Sequence, residues 1–151
     1  MAQSLSAVYV HLVFSTKNRF PFLQDLDTRH ATFAYLSGTS RKLDCPTIAV
    51  GGMPDHVHVL ARLGRTISQA DWVKEAKRVT NGWLKKQEPH RSKFEWQSGY
   101  AAFSVSQSNL AHVRKYINEQ ETRHCKFGFQ DELRTLLRKH EIDFDERYVW
   151  D

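Results

Sequence analysis

Two pairs of residues form the most informative pattern in the chain. His56 and His58 flank a single valine, and Tyr116 and Gln120 stand four residues apart further along. In a strand, alternate side chains share a face, so the two imidazoles would lie about 7 Å apart on one side. In a helix, residues i and i+4 share a face. A strand packed on a helix could therefore bring two imidazoles, an amide oxygen and a phenol to one point.

These groups together could carry out metal-assisted chemistry on phosphorus. Two imidazoles and an amide oxygen can hold a divalent cation, and a mixed nitrogen and oxygen site with open positions suits a Lewis acid. A phenol beside that cation could attack a phosphate. Taken singly, each residue has a more ordinary role, as a hydrogen-bonded histidine or a tyrosine at a helix edge. The two pairs together favour a metal site.

Patterns of apolar residues along the chain predict the elements that position these groups. Alternating β-branched and aromatic residues are typical of strands, and a 3.6-residue apolar period is typical of helices. The predicted strands cover 7–15, 46–50, 56–63 and 98–106, and the predicted helices cover 27–43, 68–86, 108–124 and 129–140. Ser68 and Ser108 are the expected N-caps of the second and third helices.

This order of elements predicts an α+β fold of the ferredoxin-like βαββαβ type. We expect a four-stranded antiparallel sheet with helices on one face, plus a C-terminal helix that carries Tyr116. The whole chain, 1–151, is predicted to be one domain, with a core over about 7–125 and a C-terminal helix and tail over 126–151. In the third strand the valines face the core, so the histidines should face a cleft or an overlying helix.

Bulk composition narrows the class of protein. The hydrophobic content of 40% argues against disorder, and the net charge of +5 with a pI of about 9.3 suggests an anionic partner. Cys45 and Cys125 are far apart and form no CxxC motif, which predicts a reducing, cytoplasmic compartment. No signal peptide or apolar run of about 18 residues is present, so no membrane partner is expected. No pattern points to an organic cofactor.

Two other histidine-based enzyme classes fit the sequence less well. Nucleotide hydrolases of the histidine-triad type need a third histidine two residues after the pair, where this chain has Leu60. Two-histidine phosphoesterases need a second strand with a histidine-x-threonine or serine motif. The only other candidate strand reads His11-Leu12-Val13 and lacks the hydroxyl.

The residues 52–60 (Gly-Met-Pro-Asp-His-Val-His-Val-Leu), followed by 116–120 (Tyr-Ile-Asn-Glu-Gln), resemble a known family. They are similar to the single-tyrosine HUH transposases of the insertion sequence 200/605 type, including their repetitive-palindrome-associated relatives. The resemblance runs from about Tyr9 to Cys125, and residues 96–100 and 103–106 support it. The His-Val-His motif at 56–58 is a weak signal alone. The same motif followed by the tyrosine helix is a specific one.

The resemblance implies an enzyme that cuts and rejoins single-stranded DNA at hairpin-bearing ends, acting as a homodimer. Residue by residue, His56 and His58 match the metal ligands, Gln120 the third ligand and Tyr116 the nucleophile that forms a 5′-phosphotyrosine. The implied cation is Mg²⁺ or Mn²⁺, of which Mn²⁺ suits imidazole better. The family also leaves open a composite site with the partner's tyrosine, and a domesticated rather than mobile role.

Binding of DNA would rest on basic and aromatic side chains. Trp96 and Tyr100 could stack on bases. Six cations in the first loop, the second helix and the tyrosine helix could contact phosphates; they are Lys17, Arg19, Lys74, Lys77, Arg78 and Arg114. The sequence identifies no general base for the phenol.

Two alternative functions can be weighed at this stage. An RRM-like module that binds single-stranded nucleic acid without cutting it needs exposed aromatic residues on its central strands, where this chain has His11, His56 and His58. HUH nucleases of replication or conjugation usually carry a second tyrosine three or four residues after the first. Those positions are Glu119 and Gln120 here. Both alternatives are therefore disfavoured.

Overall fold

The structure, a computed structural model, describes residues 2–87, 93–122 and 128–151. The strands and helices follow the predicted order. The strands are β1 (Tyr9–Ser15), β2 (Thr47–Met53), β3 (His56–Arg62) and β4 (Ala101–Val105). The helices are α1 (Leu26–Lys42), α2 (Gln69–Lys85), α3 (Leu110–Asn118) and α4 (Phe129–Lys139), with short 3-10 turns at Lys17–Arg19 and Gln107–Asn109.

The four strands form one antiparallel sheet in the order β2-β3-β1-β4. This order confirms the predicted ferredoxin-like α+β arrangement. Strand β2 runs further than predicted, to Met53, because Gly51 and Gly52 continue the ladder opposite His58 and Val57. Strand β4 begins at Ala101, three residues later than predicted.

One face of the sheet packs against α1 and α2. Val10, Leu12 and Phe14 of β1 share a buried cluster with the valines of β3 and with Trp72 of α2. Helix α2 begins where predicted, since the Ser68 hydroxyl accepts a hydrogen bond of 3.0 Å from the Asp71 amide. Burial of this apolar face supplies most of the core.

Helices α3 and α4 cover the opposite face of the sheet. Ile117 of α3 packs on Ala49 and Leu60, while Phe129 and Leu133 of α4 belong to a separate buried cluster. That cluster also contains Val13, Phe103 and Leu137. Helices therefore cover both faces of the sheet, whereas the sequence predicted them on one face apart from the tyrosine helix. Tyr116 lies on α3 and not, as predicted, on the C-terminal helix, which is α4.

The C-terminal half differs from the prediction in detail. Helix α3 ends at Asn118 rather than near residue 124, and residues 123–127 lie outside the described part of the chain. Ser108 is not its N-cap; that position is Asn109, which makes no capping side-chain bond. The tail, which has no predicted structure, packs Phe144, Val149 and Trp150 against the α4 cluster. Within the described residues no helix is both long and apolar enough to span a membrane.

We predict that Gly51→Ala destabilises the protein by about 1–3 kcal/mol, the usual cost of overpacking a core. A methyl group at Gly51 would lie 2.5 Å from the Ile117 carbonyl oxygen, so β2 and α3 would have to separate. Gly38→Ala is the matched control, because it faces open space in α1 and should stabilise the helix by about 0.5–1 kcal/mol. Urea unfolding measures both. Equal stability of the two variants would contradict close packing of α3 on β2.

Candidate metal and nucleophile site

The structure brings the two predicted pairs together within one chain. His56 and His58 lie on β3, Tyr116 lies on α3, and Gln120 follows just after the helix. The His56 Nε2 atom is 3.3 Å from Gln120 Oε1, and the rings of His58 and Tyr116 have centroids 5.7 Å apart. One protomer therefore contains all four groups at a common point.

Strand register explains how the histidines reach this point. On β1, Val13 pairs with His58 and Ser15 pairs with His56. Alternation then places both imidazoles on the face opposite Val57, toward α3 and α4. They are 2% and 0% exposed, so they are sealed beneath these helices rather than lining an open cleft.

A residue that the sequence analysis did not identify, Glu132 of α4, lies at the centre of the site. Its Oε1 atom is 2.9 Å from His58 Nε2 and 3.3 Å from His56 Nε2. Its Oε2 atom accepts hydrogen bonds from the Tyr116 hydroxyl and from Gln120 Nε2, the latter at 3.1 Å. One carboxylate thus contacts all four predicted residues.

The sequence did contain a signal for Glu132. The residue lies three positions after Phe129 and four before Leu136, within the apolar stripe of α4. A carboxylate is rarely buried without partners, and Glu132 is 8% exposed. A charged residue in the apolar stripe of an amphipathic helix therefore predicts a buried polar site on the facing element.

Outer partners fix the orientation of both imidazoles. Asp55 Oδ1 lies 2.7 Å from His56 Nδ1, and His11 Nε2 lies 2.8 Å from His58 Nδ1. Both Nε2 atoms are therefore turned inward, toward Glu132. Metal-binding histidines in proteins are generally held in this way, by a hydrogen bond to the second ring nitrogen. Asp55 and His11 thus orient the two candidate metal ligands. The sequence spacing of His56, His58, Tyr116 and Gln120 did not predict these two roles.

Burial and charge act in opposite directions on the titrating groups of the site. Burial alone would lower the pKa of His56, but its bonds to Asp55 and Glu132 raise that pKa to about 9. Burial lowers the pKa of His58, against the attraction of Glu132. Burial also lowers the pKa of His11 to about 3, assisted by the neighbouring His58. Burial would raise the pKa of Glu132, but the two histidines hold it well below its ordinary range.

The donor atoms fit a divalent cation. His56, His58 and Glu132 each offer one ligand atom, and these atoms lie within 4.8 Å of one another. The amide oxygen of Gln120 adds a further donor beside His56. Two imidazoles, a carboxylate and an amide suit a borderline cation such as Mn²⁺ and also accept Mg²⁺.

An ion pair from α1 fixes the chain directly after Gln120. The buried Arg29 guanidinium donates to Glu121 Oε2 at 3.1 Å and to the carbonyl oxygens of Leu23 and Gln24. His30 Nε2 also lies 2.8 Å from Glu121 Oε1. The N-terminal part of α1 therefore helps to fix the chain next to Gln120, in addition to α3.

The six predicted DNA-contacting cations lie outside this site and differ in availability. Lys74 and Arg114 are exposed, on α2 and α3. Lys17 pairs with Glu95 at 2.9 Å, and Arg78 pairs with Glu75 at 2.7 Å. Arg19 lies over the Trp150 ring.

The sixth cation, Lys77, is largely engaged within the protein. Its Nζ atom donates to the carbonyl oxygens of Gln97, Ser98 and Gly99, and burial lowers its pKa to about 8. Lys77 therefore links α2 to the 97–99 segment.

Comparison with known proteins places the chain among transposases. A family model described as "Transposase IS200 like" matches residues 4–120. A solved structure of a candidate transposase from Deinococcus radiodurans matches with a TM-score of 0.59 and 24% identity, over 80% of this chain and 95% of the other.

A second solved structure, a REP-associated tyrosine transposase bound to a REP hairpin, matches with a TM-score of 0.59 and 15% identity. That match covers 84% of this chain and 76% of the other. No curated protein matches.

We predict that Glu132→Ala weakens binding of Mn²⁺ by at least about 10–100-fold, the loss usual for a group that supports a metal site. Isothermal titration of the metal-free chain with Mn²⁺ measures the affinity. Asp131→Ala is the matched control, since Asp131 is the neighbouring carboxylate of α4 and forms only an exposed ion pair with Arg134. Equal affinities in the two variants would remove Glu132 from the donor set.

Proposed function

Because the chain belongs to the IS200-like transposase family, we propose that it cuts and rejoins single-stranded DNA through a covalent link to Tyr116. The proposal rests on one observation above others. The Tyr116 hydroxyl donates to the same carboxylate whose other oxygen contacts His56 and His58. A nucleophile, its hydrogen-bond acceptor and a metal donor set are thereby joined through one side chain.

His56, His58 and Glu132 would hold the metal, with Gln120 as a further donor. This set differs from the one expected from the resemblance by the addition of Glu132. When bound, a divalent cation supplies Lewis-acid stabilisation of the negative charge that develops on a scissile phosphate. Mg²⁺ or Mn²⁺ is the proposed ion, and the two imidazoles favour Mn²⁺.

The reaction follows from the placement of Tyr116. Its phenolic oxygen attacks the phosphorus in line, a bond from phosphorus to that oxygen forms, and the bond to the 3′-oxygen breaks. Glu132 accepts the hydrogen bond that orients the phenol. The phenol loses one proton on attack and the departing 3′-oxygen gains one, so no net proton is consumed. The products are a 5′-phosphotyrosine and a free 3′-OH. Attack by a second 3′-OH reverses the step and joins a new strand without ATP.

Substrate binding would be largely electrostatic. The net charge of +5 and the exposed Lys74 and Arg114 favour a polyanion. A structurally similar transposase is bound to a REP hairpin, which supports hairpin-bearing single-stranded DNA as the substrate class here. The homodimer implied by the resemblance stays a prediction. The catalytic groups already meet within one chain, so the proposed chemistry does not require a partner's tyrosine.

The RRM-like alternative loses support from the burial of the sheet. Helices cover both faces of the central strands, and Phe14 and Phe103 are buried beneath them. Apart from the half-buried Tyr9 at the start of β1, strands β1 and β3 therefore present no aromatic side chain on which bases could stack.

We expect Tyr116→Phe to abolish formation of a covalent protein–DNA adduct while leaving the fold intact, because only the attacking oxygen is removed. The test incubates a hairpin-bearing single strand with the protein and Mn²⁺, then resolves adducts on a denaturing gel. Tyr148→Phe is the matched control, since Tyr148 is 64% exposed and lies far along the tail. An adduct that persists in Tyr116→Phe would exclude this tyrosine as the nucleophile.

His56→Ala should reduce the rate of cleavage at least about 100-fold, since Lewis-acid stabilisation contributes several kcal/mol to such reactions. Binding of the hairpin should change little, because His56 is buried and carries no exposed surface. Single-turnover cleavage and a gel-shift assay measure the two effects separately. Lost hairpin binding with retained cleavage would contradict the assignment.

A further inference from the structure

A cleft of about 390 Å³ lies between α2 and residues 95–100, away from the metal and nucleophile site. Lys74, Arg78 and Asn81 line it from α2. Trp96 and Tyr100 line it from the other side. The cleft lies on the α1 and α2 side of the sheet, because Trp96 packs against Phe14 with ring centroids 4.8 Å apart. The proposed attack by Tyr116 and the metal donor set use none of these residues; of them, the proposed function invokes only Lys74, as a general contact for a polyanion.

Two buried polar atoms of the cleft residues lack hydrogen-bond partners within the described part of the chain. They are the indole nitrogen of Trp96, a donor, and the side-chain oxygen of Asn81, an acceptor. Trp96 is 7% exposed, so its N–H is removed from water. Buried polar groups are nearly always paired in native proteins. An unpaired donor and an unpaired acceptor on two residues of one cleft point to a ligand that offers both, as the Watson–Crick edge of every nucleobase does.

The other groups of the cleft suit the rest of a nucleotide. Lys74 and Arg78 are exposed at its rim and can contact a phosphate. Tyr100 is 38% exposed and offers a ring face for stacking. Among the described residues of the lining the one carboxylate is Glu95, which is paired with Lys17 at 2.9 Å and so opposes an anion only weakly.

The cleft and the metal site lie at the same end of β1, on opposite faces of the sheet. Gln97 lines the cleft, donates its backbone N–H to the Ser15 carbonyl at 2.9 Å, and accepts the Ser15 N–H at 2.8 Å. Ser15 is the register partner of His56. The two sites therefore lie on opposite faces of the sheet at one end of one strand, where a single strand of DNA could run from one to the other.

We propose that this cleft binds one unpaired nucleotide of the single strand next to the cleavage position. The base lies against Tyr100 with its edge toward Trp96 and Asn81, and its phosphate lies at Lys74 and Arg78. This proposal rests on the proposed function, since it places the nucleotide on the strand that Tyr116 would attack. It adds a recognition subsite to that function.

The test compares two fluorescein-labelled octamers without hairpins, dT8 and an abasic strand of the same length and charge, by anisotropy at one fixed salt concentration. Trp96→Phe keeps an aromatic side chain at this position but replaces the indole with a smaller ring that has no N–H. It should weaken binding of dT8 about fivefold to tenfold, roughly the contribution of one base contact, and leave binding of the abasic strand unchanged. Asn81→Ala should do the same.

Charge variants separate the phosphate contact from the base contact. Lys74→Ala should weaken both octamers equally, because both carry the same phosphates. Lys86→Ala is the matched control, since Lys86 is exposed at the end of α2 and does not line the cleft. Its affinity for both octamers should equal that of the unmodified chain.

Unchanged dT8 affinity in both Trp96→Phe and Asn81→Ala would overturn the proposal. If either variant fails to fold by circular dichroism, Tyr100→Ala replaces it, since this exposed ring can be removed without opening the core. If the proposed function is wrong but the cleft binds a nucleotide, no covalent adduct forms on the gel, while the affinity for dT8 still falls in Trp96→Phe. If only the cleft proposal is wrong, the adduct with Tyr116 still forms, and the affinity for dT8 is the same in Trp96→Phe as in the unmodified chain.

Discussion

The buried carboxylate of Glu132 is the constraint on which the functional half of the molecule depends. A charge removed from water is costly unless it is paired and fully hydrogen-bonded. Glu132 obtains its partners from three other parts of the chain, namely the two histidines of β3, Tyr116 of α3 and Gln120 beyond it. Because one side chain requires all four, the positions of β3, α3 and α4 are coupled. A displacement of any one of these elements would leave a buried polar group unpaired.

The tail after α4 helps to keep that helix in place. Arg134 of α4 forms two bonds to Glu146, and its guanidinium lies 5.0 Å from the centroid of the Trp150 ring. The final carbonyl oxygen, of Asp151, accepts the Gly99 N–H at 2.8 Å and the Gln97 side chain at 3.1 Å. The last residues thus fasten α4 to the segment that precedes β4. Exposed ion pairs contribute little singly, so it is the apolar packing of Trp150 and Val149 that must supply most of this anchoring.

The sequence predicted the parts of this arrangement that depend on local periodicity. Alternation along β3 separated His56 and His58 from the valines. Helical spacing put Tyr116 on α3, whereas Gln120 lies beyond the end of that helix and still reaches the site. Glu132 was missed because its role depends on where α4 docks. The apolar stripe of α4 indicates only that this carboxylate is buried and paired, and not which residues of the other elements are its partners. Lys77 is a second residue whose role depends on a tertiary contact that local periodicity does not predict. Its position on the basic face of α2 predicted a contact with DNA phosphates, but three carbonyl oxygens from another segment bind its ammonium group.

The end of β1 joins the two sites mechanically. Ser15 exchanges two hydrogen bonds with Gln97 of the cleft, and the next residue, Thr16, donates its N–H to the Asp55 carbonyl at 2.9 Å. The Asp55 side chain in turn forms a hydrogen bond with Nδ1 of His56. A movement of the 96–98 segment must either break these bonds or carry Asp55 with it. The 96–98 segment and the metal donor His56 are therefore connected by a short chain of hydrogen bonds through the end of β1 and Asp55.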